Sequence, residues 1–162
     1  MTRITHVDEH GRARMVDVSA KDETLRVARA AAILVCAPET LAQVRAGTTP
    51  KGSVIATAEL AGVMGAKRTA DLIPLCHPLP LTKVDVTIEP DDGLPGFHIV
   101  AETRTFGRTG VEMEALTAVT VSCLTLFDML KAIDRTMRIT EARVISKSGG
   151  ATGDWSAESP GA

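Results

Sequence analysis

Residues 111–134, VEMEALTAVTVSCLTLFDMLKAID, run without Gly or Pro and are rich in Ala, Leu and Met. Such a run propagates as α-helix, and one spanning Val111 to Asp134 would be on the order of 34 Å long at 1.5 Å per residue. Most of its surface is apolar, so a fold built around it must bury it nearly all round. One stripe is the exception. At 100° per residue Glu114, Thr117, Val121, Thr125 and Asp128 fall on one face, with Lys131 at its edge.

Asp128 and Lys131, three residues apart, are neighbours on a helix surface. Taken alone, such a pair is most often a solvated ion pair. On a helix otherwise too apolar for the surface it instead suggests a buried acid–base pair, the setting for perturbed pKa values and proton transfer. Glu114 and Asp128 lie about 21 Å apart along the axis, too far for one small ligand to touch both on a straight helix. They are symmetric about Val121, so antiparallel pairing of this helix with its copy would bring Glu114 of one subunit toward Asp128 of the other. The expectation is a homo-oligomer whose site is shared between subunits.

Composition narrows the classes. A chain of 162 residues fits one domain with a sizeable core, here placed at 1–155 with a flexible tail at 156–162. A net charge of −2 gives no general affinity for nucleic acid or membranes, so an anion site must come from a local cluster of bases. One Trp, three Phe and no Tyr leave little material for stacking bases. Cys36, Cys76 and Cys123 are odd in number and widely spaced, which argues against a disulfide framework and suits a reducing compartment. The chain has no CxxC, HxH or HExxH motif, so no dedicated metal cage is expected. The N-terminus is too polar for a signal peptide, and the longest apolar run, Ala30 to Ala37, is too short to span a bilayer. A cytoplasmic protein is the default expectation.

In chain order, residues 1–14 read as a charged arm or loose terminus, and Met15–Ser19 alternates as a short strand. TLRVARAAAILVC is ambiguous: Ala favours helix, while its closing Ile-Leu-Val favours strand, at least at that end. Lys21, Arg26 and Arg29 supply bases there, which by pattern alone read as a solvated face. Pro38 opens a short helix closed by Gly47. Thr49 as N-cap, Pro50 at the first position and Lys51 in the first turn then start another, ended by Lys67 and Arg68. Lys51 at a helix N-terminus reads equally as phosphate ligand or solvated side chain.

The segment TADLIPLCHPLPLTK carries Pro74, Pro78 and Pro80, which forbid helix, among leucines too apolar for a surface linker. It should form a rigid, buried connection presenting Cys76 and His77, although a His between prolines is more often a packing residue than a catalyst. KVDVTIEP and FHIVAETRTF, joined by DDGLPG, form the clearest hairpin, and MRITEARVIS makes a further strand. Lys147 before Ser148, Gly149 and Gly150 could lay backbone N–H groups around a phosphate, although this is no Walker motif. The element order predicts an α+β fold, a ferredoxin-like antiparallel sheet with helices packed on one face.

MVDVSAK, KGSVIATAELAGVMGAKRTADLIPLCHPLPLTKVDV, TGVEMEALTAVTVSCLTLFDMLKAID and KSGG together resemble the MoaC family of molybdenum cofactor biosynthesis, from about Thr5 to Trp155. The resemblance implies a lyase that rearranges 3',8-cyclo-7,8-dihydro-GTP to cyclic pyranopterin monophosphate and releases diphosphate. It implies Asp128 and Lys131 as catalytic acid and base, and Leu75, Cys76, His77, Met113 and Glu114 as substrate-binding. It adds Arg26, Lys51, Lys67, Glu112 and Lys147 around the triphosphate and the purine-derived ring. It further implies a hexamer built as a trimer of dimers, with no cofactor required beyond any Mg²⁺ that accompanies the triphosphate. The residue types suit this chemistry: lysines for phosphates, carboxylates for guanine-type N–H groups, an acid–base pair for ring opening and closure. Three positions depart from the family pattern. Ala151 and Thr152 replace the usual Lys and Ser after KSGG, and Phe127 stands where Tyr is common.

Two other readings compete. A non-catalytic ferredoxin-like sensor binding a small anion at a dimer interface would share the fold and the basic cluster, but would have no need of a buried Asp128–Lys131 pair. Nucleic-acid binding through the sheet would need exposed strand aromatics, for which only Phe97 and Phe106 are available.

Overall fold

A computed structural model describes residues 7, 8 and 10–157 of the chain. Its centre is strand β1, Thr24–Val35, which is extended over its whole length, Ala-rich part included. Ala28, Ala30, Ala32 and Leu34 point inward and are buried. A period of two, not the helix propensity of alanine, governs here, because β1 pairs on both edges and its small inward residues let helices approach closely. Helix α1, Pro38–Ala46, comes next as expected and is capped by Gly47, whose N–H donates to the carbonyls of Gln43 and Val44.

Helix α2, Val54–Lys67, begins later than Thr49. Thr49–Gly52 is instead a tight turn, in which Thr49 Oγ1 donates to the Gly52 carbonyl at 2.8 Å. Lys51 therefore precedes the helix and leaves its first turn, where a cation would oppose the dipole. The prolyl segment departs from expectation twice. Thr69–Leu72 forms a short helix, α3, ahead of the first proline, and residues 73–80 are half-buried or exposed, not buried.

Strands β2, Leu81–Asp91, and β3, Gly96–Gly107, form the expected hairpin. Helix α4, Glu112–Leu130, occupies the long apolar run but stops short of Asp134. Strand β4, Arg138–Ser148, matches the last predicted strand. Trp155–Ser156, at the expected start of the tail, forms a short β5 against Ser146–Lys147; residues 158–162 lie outside the described residues. So do 1–6 and 9 of the predicted arm. Residues 15–18 have no ladder partner and Ser19 enters a turn, although Val16 and Val18 are half-buried between exposed neighbours.

The sheet order is β2-β3-β1-β4-β5, and the pairs β1–β3, β1–β4, β2–β3 and β4–β5 are antiparallel. Its first four strands have ferredoxin-like topology, and α2 and α4 cover one face. By length and composition α4 could cross a bilayer. In the fold its Ala115, Ala118, Val119, Cys123 and Leu126 pack into the core with Phe97 and Ile99 of β3. It is not buried all round, since Met113, Leu124 and Asp128 are exposed.

Two contacts hold α4 in place. Asp134, just beyond it, is buried and accepts hydrogen bonds from Ala37 N at 2.8 Å, Thr40 Oγ1 at 3.1 Å and Thr136 Oγ1 at 2.7 Å. Burial works to raise this carboxyl's pKa, but the combined hydrogen bonds prevail and hold it below the ordinary value. The other contact is with α2, where Gly62 and Gly65 face α4 directly. A Cβ on Gly62 would press on Ser122 Oγ and come within 3.0 Å of the Ala118 carbonyl, and one on Gly65 within 2.8 Å of Val121. Alanine should stabilise an isolated helix by about 1 kcal/mol over glycine. Gly62→Ala is nonetheless expected to destabilise the protein by about 1–3 kcal/mol, because the helices must part. Urea unfolding checks this, and a variant as stable as the parent would mean that the contact is slack.

Candidate functional site

A cavity of about 540 Å³ lies at one end of the sheet, against the segment that leads into β1 and the loop before α4. Lys21, Arg26, Arg108 and Lys147 line it together with the acids Asp22 and Glu112. Arg26 is anchored by its Nε, which donates to the Gly107 carbonyl at 3.3 Å. Gly149 and Gly150 close the wall in left-handed backbone, with φ of 88° and 87°. A Cβ on either would strike the Leu25 carbonyl or the Arg26 guanidinium, so only glycine fits. Lys147 Nζ donates to Thr152 Oγ1 at 2.8 Å and lies 3.6 Å from Glu112. Thr152 thus serves the wall through its hydroxyl, whereas Ala151 beside it lines the cavity without a charge. The Thr24 hydroxyl, also at this cavity, is buried without a hydrogen-bond partner among the described residues.

A second cavity, of about 320 Å³, adjoins the first along Lys21, Thr109 and Gly110. Val16, Val18, Leu75, Leu79 and Met113 make it largely apolar, and Cys76, His77 and Glu114 supply its polar groups. Glu114 is buried. Burial, aided by the charge of Glu112, pushes its carboxyl up to about 7. The Cys76 thiol is raised by burial and by Glu114. Together the two cavities can accept a ligand that is anionic at one end and a flat polar ring at the other.

Asp128 lies elsewhere, near the far end of α4, about 24 Å from Glu112 by helix rise. Lys131 Nζ approaches Asp128 Oδ1 at 2.6 Å, and Lys51 Nζ reaches its Oδ2 and its backbone carbonyl at 3.0 Å. The hydrogen bond from Lys131 and then that from Lys51 hold the Asp128 carboxyl down at about 2. The acid–base pair therefore forms, but it is exposed in the single chain, with Asp128 57% and Lys131 54% accessible. The reason is geometric. Glu114, placed on the same stripe, turns inward over the prolyl loop, and the outward row runs instead through Met113, Leu124 and Asp128. Lys67 is also apart, exposed at the end of α2 beside a third cavity lined by Leu79–Val84.

The fold thus brings Arg26, Glu112 and Lys147 together, and Leu75, Cys76, His77, Met113 and Glu114 beside them. Within one chain it does not join these to Lys51, Asp128 and Lys131. Arg108 and Thr24 carry no signal in the sequence, and Lys21 reads there as a solvated base. Nothing in a linear pattern marks them, since strand pairing alone makes them neighbours. Of the strand aromatics, Phe97 is fully buried in the core and Phe106 is exposed.

The sequence model of the MoaC family matches residues 15–150. The chain is 60% identical over 158 residues to proteins named cyclic pyranopterin monophosphate synthase from Brucella ovis and Brucella abortus, covering 98% of this chain and 96% of theirs. It is 59% identical to the protein of that name from Brucella canis, with the same coverage.

The environment of Glu114 makes stability depend on pH. Its folded pKa of about 7 lies above the ordinary 4.5, so between these values the folded state holds more protons than the unfolded. Its contribution is fully present below the lower value and is lost as pH rises through the upper. Glu114→Gln should remove this slope and gain on the order of 3 kcal/mol relative to the parent between pH 4.5 and pH 8. Urea unfolding across that range checks it; parallel profiles would show that the carboxyl is ordinary.

Proposed function

The chain belongs to the MoaC family, and from that premise we propose that it is a cyclic pyranopterin monophosphate synthase. It converts 3',8-cyclo-7,8-dihydro-GTP to cyclic pyranopterin monophosphate and diphosphate, a lyase reaction of molybdenum cofactor biosynthesis. The observation that carries this reading is the pairing of two unlike cavities across Lys21, Thr109 and Gly110. One is basic and suits a triphosphate; the other is largely apolar with Glu114 on its wall and suits a guanine-derived ring.

In this reading Lys21, Arg26, Arg108 and Lys147 neutralise the phosphates and the charge that grows on departing diphosphate. Leu75, Cys76 and His77 face the ring from the prolyl loop, opposite Met113 and Glu114. Glu112, at the seam, accepts hydrogen bonds from ring N–H groups. Asp128 and Lys131 act as the acid–base pair, assisted by Lys51 and supplied by a second copy of the chain. That assignment is supported by the 24 Å or so between Asp128 and Glu112 within one helix. It is supported too by the apolar outer face of the helical layer, where Leu60, Met64 and Leu124 are more than half exposed. Antiparallel pairing of this face would shield the Asp128 cluster and complete two sites at once. A hexamer of three such dimers in the cytoplasm is the assembly this reading carries, with Lys67 reaching the phosphates. It includes no resident cofactor; any Mg²⁺ arrives with the triphosphate.

Turnover of the cyclic dihydro-GTP, monitored by diphosphate release, tests the reading. The parent should release diphosphate, whereas Asp128→Asn and Lys131→Ala should each lose roughly 10²–10⁴-fold in rate while still binding substrate. A folded parent that binds the compound without turning it over would leave a sensor. The shared site has its own test. Subunits carrying Asp128→Asn, mixed and reassembled one-to-one with subunits carrying Glu112→Gln, should recover about a quarter of parental activity, because half the dimers then hold one intact site. Recovery of nothing would place all the groups in a single chain.

A further inference from the structure

His77 is tied to a segment sixty-one residues earlier, its Nε2 lying 2.7 Å from the carbonyl oxygen of Val16. A carbonyl oxygen only accepts, so Nε2 carries the hydrogen. A neutral imidazole has one N–H, which leaves Nδ1 with the free lone pair for the cavity that His77 lines. Val16 belongs to the stretch 15–18 that has no ladder partner, and this contact supplies the partner that the sheet does not.

Glu114 faces the same space of about 320 Å³. Its surroundings favour the neutral acid, whose O–H can donate. The other titratable groups on the cavity wall are Lys21 at the junction and Cys76, whose thiol stays protonated. The ring cavity thus sets the His77 imidazole and a carboxyl inclined to its acid form between apolar walls, while Asp128 is held as an anion between two ammonium groups.

We propose that the Val16 carbonyl sets the tautomer of His77, and that His77 Nδ1 and the Glu114 carboxyl form a second proton-moving pair that tautomerises the fused heterocycle seated between them. The proposal rests on the functional reading above. His77 Nδ1 takes a proton from a ring N–H or C–H, the released electron pair shifts through the conjugated ring, and Glu114 gives its proton to a ring nitrogen or oxygen at the other end. The ligand keeps its proton count, and no oxidant or reductant is needed. The imidazolium and carboxylate left behind sum to zero charge and reset when the proton returns from one to the other. Val16 is a positioning group, whereas His77 and Glu114 touch the ring.

Long-range ¹H–¹⁵N spectra of the full chain labelled at histidine should show His77 with an unprotonated Nδ1 and a protonated Nε2; the opposite tautomer would overturn the proposal. His77→Gln keeps an N–H to offer Val16 but has no base. It should bind cyclic dihydro-GTP within about threefold of the parent and turn it over 10²–10⁴-fold more slowly in single-turnover measurements. Glu114→Gln should behave alike, having a donor but no proton to give. Undiminished turnover in either variant would also overturn the proposal. A parent that binds and never turns over would instead bring down the functional reading, with the tautomer spectrum still deciding the geometry.

Discussion

Two helices meet over the sheet with no side chain between them at Gly62 and Gly65, and the placement of the functional groups that α4 carries depends on that close approach. Because α2 presses α4 onto Phe97, Ile99 and the alanines of β1, the long helix cannot tilt or slide without opening the core. Its start is pinned where Thr103 Oγ1 donates to the Val111 carbonyl at 2.9 Å, and the Asp134 cluster pins the turn beyond its end. The helix is then a beam whose two ends carry different chemistry. Glu112 and Glu114 sit over the mouth of the sheet, and Asp128 sits beside the turn that brings Lys51.

The same helix holds two carboxyls whose surroundings drive them in opposite directions. Asp128 is open to solvent and bracketed by ammonium groups, which keep it ionised down to about 2. Glu114 is buried against an apolar loop and has Glu112 nearby, which pushes it up to about 7. One carboxyl is thereby a fixed anion and the other an acid able to part with a proton near neutrality. Acids separated in this way can perform distinct steps without interfering with each other.

Much of the scaffold is legible in the sequence because apolar periodicity dictates it. The hairpin, the last strand and the long helix obey patterns that burial enforces, and the first short helix is marked at its ends by Pro38 and Gly47. Sequence and structure part where local chemistry is outvoted. The alanines of β1 suggest helix until pairing on both edges makes the strand more stable. Thr49 and Pro50 look like a helix start, but the turn that ends at Gly52 satisfies Thr49 first. Met15–Ser19 has the alternation of a strand and half-buried valines, yet Val16 is held by a histidine side chain and not by a neighbouring ladder. The face of Glu114 is not legible because helical angle fixes a stripe only to within one neighbour, and the prolyl loop decides which side counts as interior.

The basic cavity shows why a site can be invisible along the chain and compact in space. Antiparallel pairing with sheet order β3-β1-β4 sets Thr24 opposite Gly107 and Ala28 opposite Lys147. Arg26 in the middle strand is therefore flanked on one side by Arg108, just past the end of β3, and on the other by Lys147 and the two glycines beyond β4. Lys21 enters from the segment leading into β1. Four cations spread over 127 positions meet around one space in a chain whose net charge is −2. Their mutual repulsion in the absence of a ligand is relieved in part by Glu112, 3.6 Å from Lys147, by Glu23, 3.7 Å from Arg108, and by Asp22 on the same wall. A polyanion relieves it more fully, so the strand order that builds the core also supplies the electrostatic pull on a phosphate-bearing ligand.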